Sequence, residues 1–248
     1  MHLRAVVEYD GTRYAGFQRQ KREITVQEEI EKALASVTQE QTKIVGAGRT
    51  DAGVHATGQV ISFSTGWKRP LSELQRAVNA LLPFDIAIFE LSEVPLDFHA
   101  RKSALSRRYR YTIFNRPLRS PLSRLYAYHW VGGLDLEAMK EALEHLIGVH
   151  DFASFGRARP RGSTVRQMVE VDCRREGDYI YIDLEANAFL KGMVRTIVGT
   201  LLLVGRGELS PQGFKEVLEA KDRSRAGDPL PAHGLCLTGV SYPERYAI

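Results

Sequence analysis

The order in which the hydrophobic period changes over the first third of the chain leaves few folds open. Residues 3 to 9, Leu3-Arg4-Ala5-Val6-Val7-Glu8-Tyr9, alternate or run apolar as a strand does and stop at the turn pair Asp10-Gly11. Thr25-Val26-Gln27-Glu28 has the form of a capping box, and Ile30, Leu34 and Val37 carry helical spacing on through residue 37. Strands are predicted near Lys43–Val45 and Gln59–Phe63, a helix from Pro70 or Ser72 to Leu82, and a strand at Ile86–Leu91. Strand, helix, strand, strand, helix, strand is the ferredoxin-like split arrangement.

The rest of the chain repeats that plan loosely. Leu105–Phe114 reads as a strand with Leu105, Arg107, Tyr109, Tyr111 and Ile113 on one face and Ser106, Arg108, Arg110, Thr112 and Phe114 on the other. A helix follows at Asp135–Ile147, with Leu134, Met139, Leu143 and Leu146 toward the core. Val165–Arg174 and Tyr179–Glu185 form a hairpin around Glu176-Gly177-Asp178. Helices are expected at Ala188–Val204 and Pro211–Leu218, and a closing strand at Leu235–Ser241. The expectation is an α+β fold, mixed α/β in content. Its two ferredoxin-like or RRM-like halves, 1–100 and 101–248, would form a mainly antiparallel mixed sheet with a central active-site cleft.

The loop between the strands near Lys43–Val45 and Gln59–Phe63, Gly46-Ala47-Gly48-Arg49-Thr50-Asp51-Ala52-Gly53-Val54-His55-Ala56, sets one carboxylate among glycines, an arginine and a histidine. Glycines let the backbone turn tightly and another molecule come close. The spacing is neither the dinucleotide fingerprint nor a P-loop, since Asp51 takes the place of the third glycine and no Gly-Lys-Ser/Thr follows. Taken alone, such an aspartate is more often a turn former than a catalyst.

Charge distribution adds a partner. The net charge of +4 is small, but Phe98–Leu134 holds no acid while carrying Arg101, Lys102, Arg107, Arg108, Arg110, Arg116, Arg119 and Arg124. A second acid-free run, Phe152–Val169, carries Arg157, Arg159, Arg161 and Arg166. One-signed blocks interleaved with Tyr109, Tyr111, Phe114, Tyr126 and Tyr128 suit a polyanion groove with stacking rings. Cys173 and Cys236 sit in apolar strand-like segments, as buried thiols rather than a disulfide, and the seven histidines show no metal-ligand spacing. No apolar run spans a bilayer and the first residues enter a strand without a leader, so no membrane association and a cytoplasmic location are expected. Arg195, in the apolar run Met193–Val198, either snorkels outward or pairs with a buried acid. Tyr109 is either a core strand tyrosine or a ring offered to a base.

Gly48-Arg49-Thr50-Asp51-Ala52-Gly53-Val54-His55-Ala56 resembles the signature of the tRNA pseudouridine synthase A family. Further motifs resemble it in order: Glu8-Tyr9-Asp10-Gly11, Gly16-Phe17-Gln18-Arg19-Gln20, Val26-Gln27, Asp97-Phe98-His99-Ala100-Arg101 and Arg108-Tyr109-Arg110-Tyr111. So do His150-Asp151-Phe152-Ala153-Ser154-Phe155, Ala186-Asn187-Ala188-Phe189-Leu190 with Met193-Val194-Arg195, and Ala220-Lys221-Asp222-Arg223. The resemblance implies the pseudouridine synthase fold, isomerisation of uridines in the anticodon stem-loop of tRNA, no cofactor or metal, and a homodimer. It makes Asp51 the catalytic aspartate and Tyr109 the ring stacked on the uracil. Arg49 would hold the extruded nucleotide, Arg195 would form a salt bridge with Asp51, and Leu235 would be an apolar pocket residue. Arg101, Arg107, Arg108, Arg110 and Lys191 are the expected RNA contacts. Phe17 replaces a more usual tryptophan, Lys191-Gly192 a pair that is often two histidines, and Gly162-Ser163-Thr164 differs locally.

The chemistry suits these residues. Forming pseudouridine moves C1′ from N1 to C5 of the uracil with no net redox change, and an ionised carboxylate can either attack as nucleophile or remove a sugar proton. Two other classes compete: a non-catalytic RNA-binding protein with aromatic-bearing sheets, and a small-molecule phosphotransferase using the glycines. The first leaves Arg49 and Asp51 within a glycine loop without a reason, and the second lacks its lysine and metal carboxylates.

Overall fold

β1 (His2–Tyr9) buries Leu3, Ala5, Val7 and Tyr9 on one face, the alternation that the sequence shows. It lies between two antiparallel neighbours, β3 (His55–Ser64) and β4 (Ile86–Glu93), and the two-residue β2 (Val45–Gly46) pairs antiparallel with the far side of β3. The order β4-β1-β3-β2 is that of a ferredoxin-like sheet. Helix α1 (Val26–Thr38) starts where the capping box places it, with the Thr25 hydroxyl accepting from the Glu28 amide, and its Ile30 and Leu34 are buried. Helix α2 (Leu71–Leu81) buries Leu74 and Val78 and packs against α1 and β4. The chain returns to this sheet at its end: β10 (Leu235–Ser241) runs parallel to β3 through the pairs Cys236–His55 and Leu237–Ala56.

The computed structural model describes residues 1–158 and 162–246 and divides into two units, Met1–Arg107 with Cys236–Ile248, and Arg108–Leu235. Arg159 and Arg161 lie outside the described residues. No helix among the described residues is long and apolar enough to cross a membrane.

In the second unit β5 (Ser106–Asn115), β9 (Tyr179–Ala186), β8 (Val165–Glu176) and β7 (Gly148–Asp151) are neighbours in that order. The short β6 (Tyr128–Trp130) adds in parallel to the end of β5. Ile180, Ile182 and Leu184 of β9 are buried, as are Tyr109, Tyr111 and Ile113 of β5. Helix α3 (Leu136–Glu144) packs on β8 and against α4 (Met193–Gly205) and α5 (Pro211–Ala220).

Several sequence expectations shift. The helix expected from Ala188 begins at Met193, because Gly192 at its N-cap takes a left-handed backbone (φ 75°) that no right-handed helix interior accommodates. The strand expected at Gln59 starts four residues earlier, at His55, and the one at Lys43–Val45 shrinks to Val45–Gly46. β6 and β7 lacked any strand signal, being only three and four residues long. Leu105 is exposed and precedes its strand, and Cys236 is half-buried rather than buried. Cys173 is buried as expected, and burial pushes its thiol up to about 12.

The acid-free run is not acid-free in space. Arg110 of β5 makes a two-point pair with Asp183 of β9 (2.8 and 2.9 Å), and Arg174 of β8 reaches the same carboxylate at 2.6 Å and Asp172 at 2.7 Å. Arg110 and Arg174 also stand over the Tyr181 ring, 5.0 and 5.2 Å from its centre. Arg108 pairs with Glu185 and Glu170. Burial works to raise the Asp183 carboxyl, but the bonds from Arg110 and Arg174 outweigh it and hold it below its ordinary value. A lowered carboxyl stabilises the fold above the unfolded value and loses that contribution as pH falls through the folded one. Urea denaturation of the native chain should therefore show stability declining below about pH 4, the ordinary carboxyl range, and Asp183→Asn should flatten that decline while lowering stability at neutral pH.

Candidate active site

Asp51 lies in the stretch joining β2 to β3, and groups outside the stretch set its shape. The β2–β3 ladder runs from Val45–Ser62 to Gly46–Ile61 and continues with the Ala47 amide donating to Val60 O at 2.8 Å. There the backbone pairing stops and a side chain takes over. Gln59, fully buried, accepts from the Gly48 amide through Oε1 (3.1 Å) and donates from Nε2 to Gly48 O (3.0 Å). Arg107 fixes the same corner by donating from Nη2 and Nε to Ala47 O at 3.0 and 3.3 Å.

The other side of the loop rests on the segment after β1. The Tyr9 and Thr50 hydroxyls are 2.7 Å apart in a buried bond, the Phe17 amide donates to Thr50 O at 3.2 Å, and the Gly53 amide donates to Tyr14 O at 3.3 Å. Gly16 (φ 99°) passes so close that a Cβ would stand 2.6 Å from Thr50 O. A side chain there would push the two segments apart.

Asp51 is half-buried, and its carbonyl accepts from the Val54 amide at 3.2 Å, closing a turn. Among the described residues of its own unit, no hydrogen bond or ion pair reaches its carboxylate. Arg49 is exposed two residues earlier. His55 belongs to β3 and not to the loop; it is buried, with Nδ1 3.0 Å from the Gly11 amide nitrogen and 3.1 Å from Asp10 Oδ1.

In the second unit Tyr109 is buried with its ring edge-on to Phe189, the centres 5.0 Å apart. Arg195, half-buried on α4, donates from Nε to Leu230 O, while the Leu230 amide donates back to Arg195 O at 3.1 Å. A two-way clasp to backbone thus fixes the direction of its guanidinium. Beside it, burial pushes the Tyr111 phenol far above its ordinary value despite the opposing charge of Arg195, and the hydroxyl donates to Pro231 O at 2.8 Å. Leu235 is buried at the start of β10.

The basic residues divide. Arg107 is buried and donates also to Ala104 O and Arg101 O, so it braces the chain. Arg110 is tied to Asp183 and Arg108 to Glu170 and Glu185, whereas Lys191 is exposed and its carbonyl accepts from the Arg157 amide. Arg101 is half-buried. Sequence reasoning passed over Gln59 and Tyr9. The signal for Gln59 was an amide side chain on the buried side of an apolar strand, where only a polar partner repays its burial.

Among the described residues of its unit, the Asp51 carboxylate is thus left without a partner on a loop pinned from two sides. The comparisons name the family. The model of the family described as tRNA pseudouridine synthase matches residues 5–101 and 142–243. The tRNA pseudouridine synthase A of Vibrio parahaemolyticus serotype O3:K6 (strain RIMD 2210633) is 47% identical over 249 aligned positions, covering 100% of this chain and 94% of that protein. The tRNA pseudouridine synthase A of Geobacter sp. (strain M21) is 45% identical, covering 98% of this chain and 99% of that one. This chain therefore belongs to the tRNA pseudouridine synthase family, isomerases that convert uridine to pseudouridine in tRNA. Membership sets aside both the non-catalytic RNA-binding reading and the phosphotransferase.

Replacing Gln59 with leucine keeps the volume and deletes both bonds to Gly48. Stability in urea should fall by about 1 to 3 kcal/mol, the cost of hydrogen bonds lost from buried groups.

Proposed function

We propose that this enzyme acts on uridines of the tRNA anticodon stem-loop and that Asp51 is its catalytic carboxylate. The observation that supports this is the half-buried Asp51 side chain, left without a bond in its own unit on a loop that Tyr9, Gln59 and the close approach of Gly16 hold in place. A carboxylate that served only as a turn former would spend its oxygens on nearby amides.

The target uridine must leave its stack, at a cost of roughly a few kcal/mol that protein contacts offset. Arg49, exposed beside Asp51, is the group proposed to hold the extruded nucleotide. The Asp51 carboxylate then acts on the sugar or the base, C1′ parts from N1, the freed uracil turns until C5 faces C1′, the C1′–C5 bond forms, and the proton on C5 is released while N1 takes one up. Tyr109 offers that uracil a flat surface, and a ring fixed edge-on by Phe189 needs no ordering when the base arrives. Base stacking of this kind contributes about 1 to 3 kcal/mol. Arg195 is proposed as the cation that keeps the Asp51 carboxylate ionised when substrate excludes water, and Leu235 as an apolar surface of the uracil pocket.

For the RNA backbone, Arg101 and Lys191 are the proposed phosphate contacts, with Arg108 proposed to contribute from its pairs with Glu170 and Glu185. Arg107 and Arg110 support binding from behind, since their guanidinium groups are held by carbonyls and by Asp183. A homodimer and a cytoplasmic location complete the proposal.

Tritium release from tRNA labelled at uridine C5 measures the reaction. Asp51→Asn should abolish release while binding tRNA within about twofold of the native chain, because the two side chains share size and differ in the chemistry a carboxylate supplies; full activity would remove Asp51 from the mechanism. Tyr109→Phe should retain most activity and Tyr109→Ala should lose much more, since only the first keeps a ring. Equal losses in the two would sink the stacking role.

A further inference from the structure

His55 has no part in the chemistry given to Asp51, yet its buried ring occupies a decisive position. Nδ1 stands 3.0 Å from the Gly11 amide nitrogen and 3.1 Å from Asp10 Oδ1. One nitrogen cannot serve both. To accept from Gly11 it must be bare, with the ring proton on Nε2, and to bond Asp10 it must carry a proton. The two neighbours do not press equally. Asp10 Oδ1 already accepts from the Thr12 amide at 2.9 Å and from the Thr12 hydroxyl at 2.5 Å. The Gly11 amide is buried and finds only His55 as acceptor among the described residues, and an orphaned buried amide is costly. The network thus assigns Nδ1 as the acceptor for the Gly11 amide, with a ring proton on Nε2.

What Gly11 touches gives that bond its importance. A Cβ on Gly11 would come within 2.0 Å of Val54 O, so the turn Gly11–Arg13 lies directly against Val54. Val54 is the residue whose amide closes the turn on Asp51 O. On the far side, Asp10 is fixed by its amide donating to Asp85 O at 2.9 Å, and the Tyr14 hydroxyl donates to the Asp85 carboxylate. Tyr14 O in turn accepts from the Gly53 amide. The turn is a seat for residues 51 to 54, and His55 Nδ1 is what pins it from below.

We infer that His55 is a positioning residue: its unprotonated Nδ1 locks the Gly11–Arg13 turn against Val54 and so fixes the direction of the Asp51 carboxylate. The inference rests on the reading of Asp51 as the catalytic group. It touches neither substrate nor reacting atoms, so its signature is a loss of rate without loss of binding.

Three substitutions in the full chain separate this from mere packing. His55→Asn places an amide oxygen where Nδ1 stands, His55→Gln places its acceptor near Nε2, and His55→Leu fills much of the space with no acceptor. Single-turnover tritium release, tRNA affinity and the thermal midpoint are measured for each, with Asp51→Asn alongside. His55→Leu should lose roughly 100-fold in rate with tRNA affinity within about twofold, the size of effect a misplacement of about 1 Å produces, and His55→Asn should recover at least about tenfold of it. Where His55→Leu fails to fold, His55→Asn should still exceed His55→Gln by about tenfold on the same ground. A folded His55→Leu at the native rate overturns the inference, and so does His55→Asn no faster than His55→Gln. An active Asp51→Asn instead overturns the underlying reading of Asp51, which keeps the two failures apart.

Discussion

The structure around Asp51 depends on a short backbone ladder being continued by a side chain. β2 has two residues, too few to define a loop on its own, and beyond Ala47 its hydrogen bonds to β3 would end in an unpaired glycine. Gln59 supplies the missing donor and acceptor together, which makes the next rung out of an amide side chain. Because Gln59 is fully buried, water does not compete for those bonds, and their loss leaves polar groups behind that cost more than the bonds themselves contributed. Tyr9 and Gly16 press on the opposite side. A loop fixed in this way can present a carboxylate that takes no part in holding it.

The strands of the second unit solve a charge problem by pairing across strands. The arginines of β5 come from a stretch with no acid near them in sequence, and their counter-charges arrive from β8 and β9, more than sixty residues later. Asp183 accepts from two guanidinium groups while Tyr181 lies beneath both. Such a network is worth more than exposed pairs taken singly, because each charge is oriented by several partners and partly shielded from solvent. It also reduces the positive charge that Arg108, Arg110 and Arg174 would otherwise carry unpaired.

Helix α4 shows how an arginine is kept in an apolar helix. Arg195 and Leu230 exchange hydrogen bonds, the Gly227 amide donates to the Thr200 hydroxyl at 2.9 Å, and Gly199 lies so near Asp228 O that a Cβ there would stand at 1.9 Å. The strap from Gly227 to Leu230 is thereby fastened along one side of the helix. Among the described residues of its own unit, the guanidinium is held by the Leu230 backbone and not by a carboxylate.

Local chemistry was enough for much of this molecule. Thr25 with Glu28 announced a helix start, Gly177-Asp178 a hairpin, and the alternation of β1 and β5 their buried faces, because capping, turn formation and period depend on residues within a few positions of one another. The ordered motifs from Glu8 to Arg223 carried the family, and the glycine loop carried the one aspartate worth weighing. The sequence by itself thus determined the ferredoxin-like order of elements and the residue proposed for the chemistry. Tertiary structure alone decided that Gln59 completes the loop, that His55 faces Gly11, that Asp183 pairs with both Arg110 and Arg174, and that the last strand returns to β3. Each of these joins groups that only the folded chain brings within hydrogen-bond distance, and a bond that falls off within a fraction of an ångström cannot be read from spacing along a sequence.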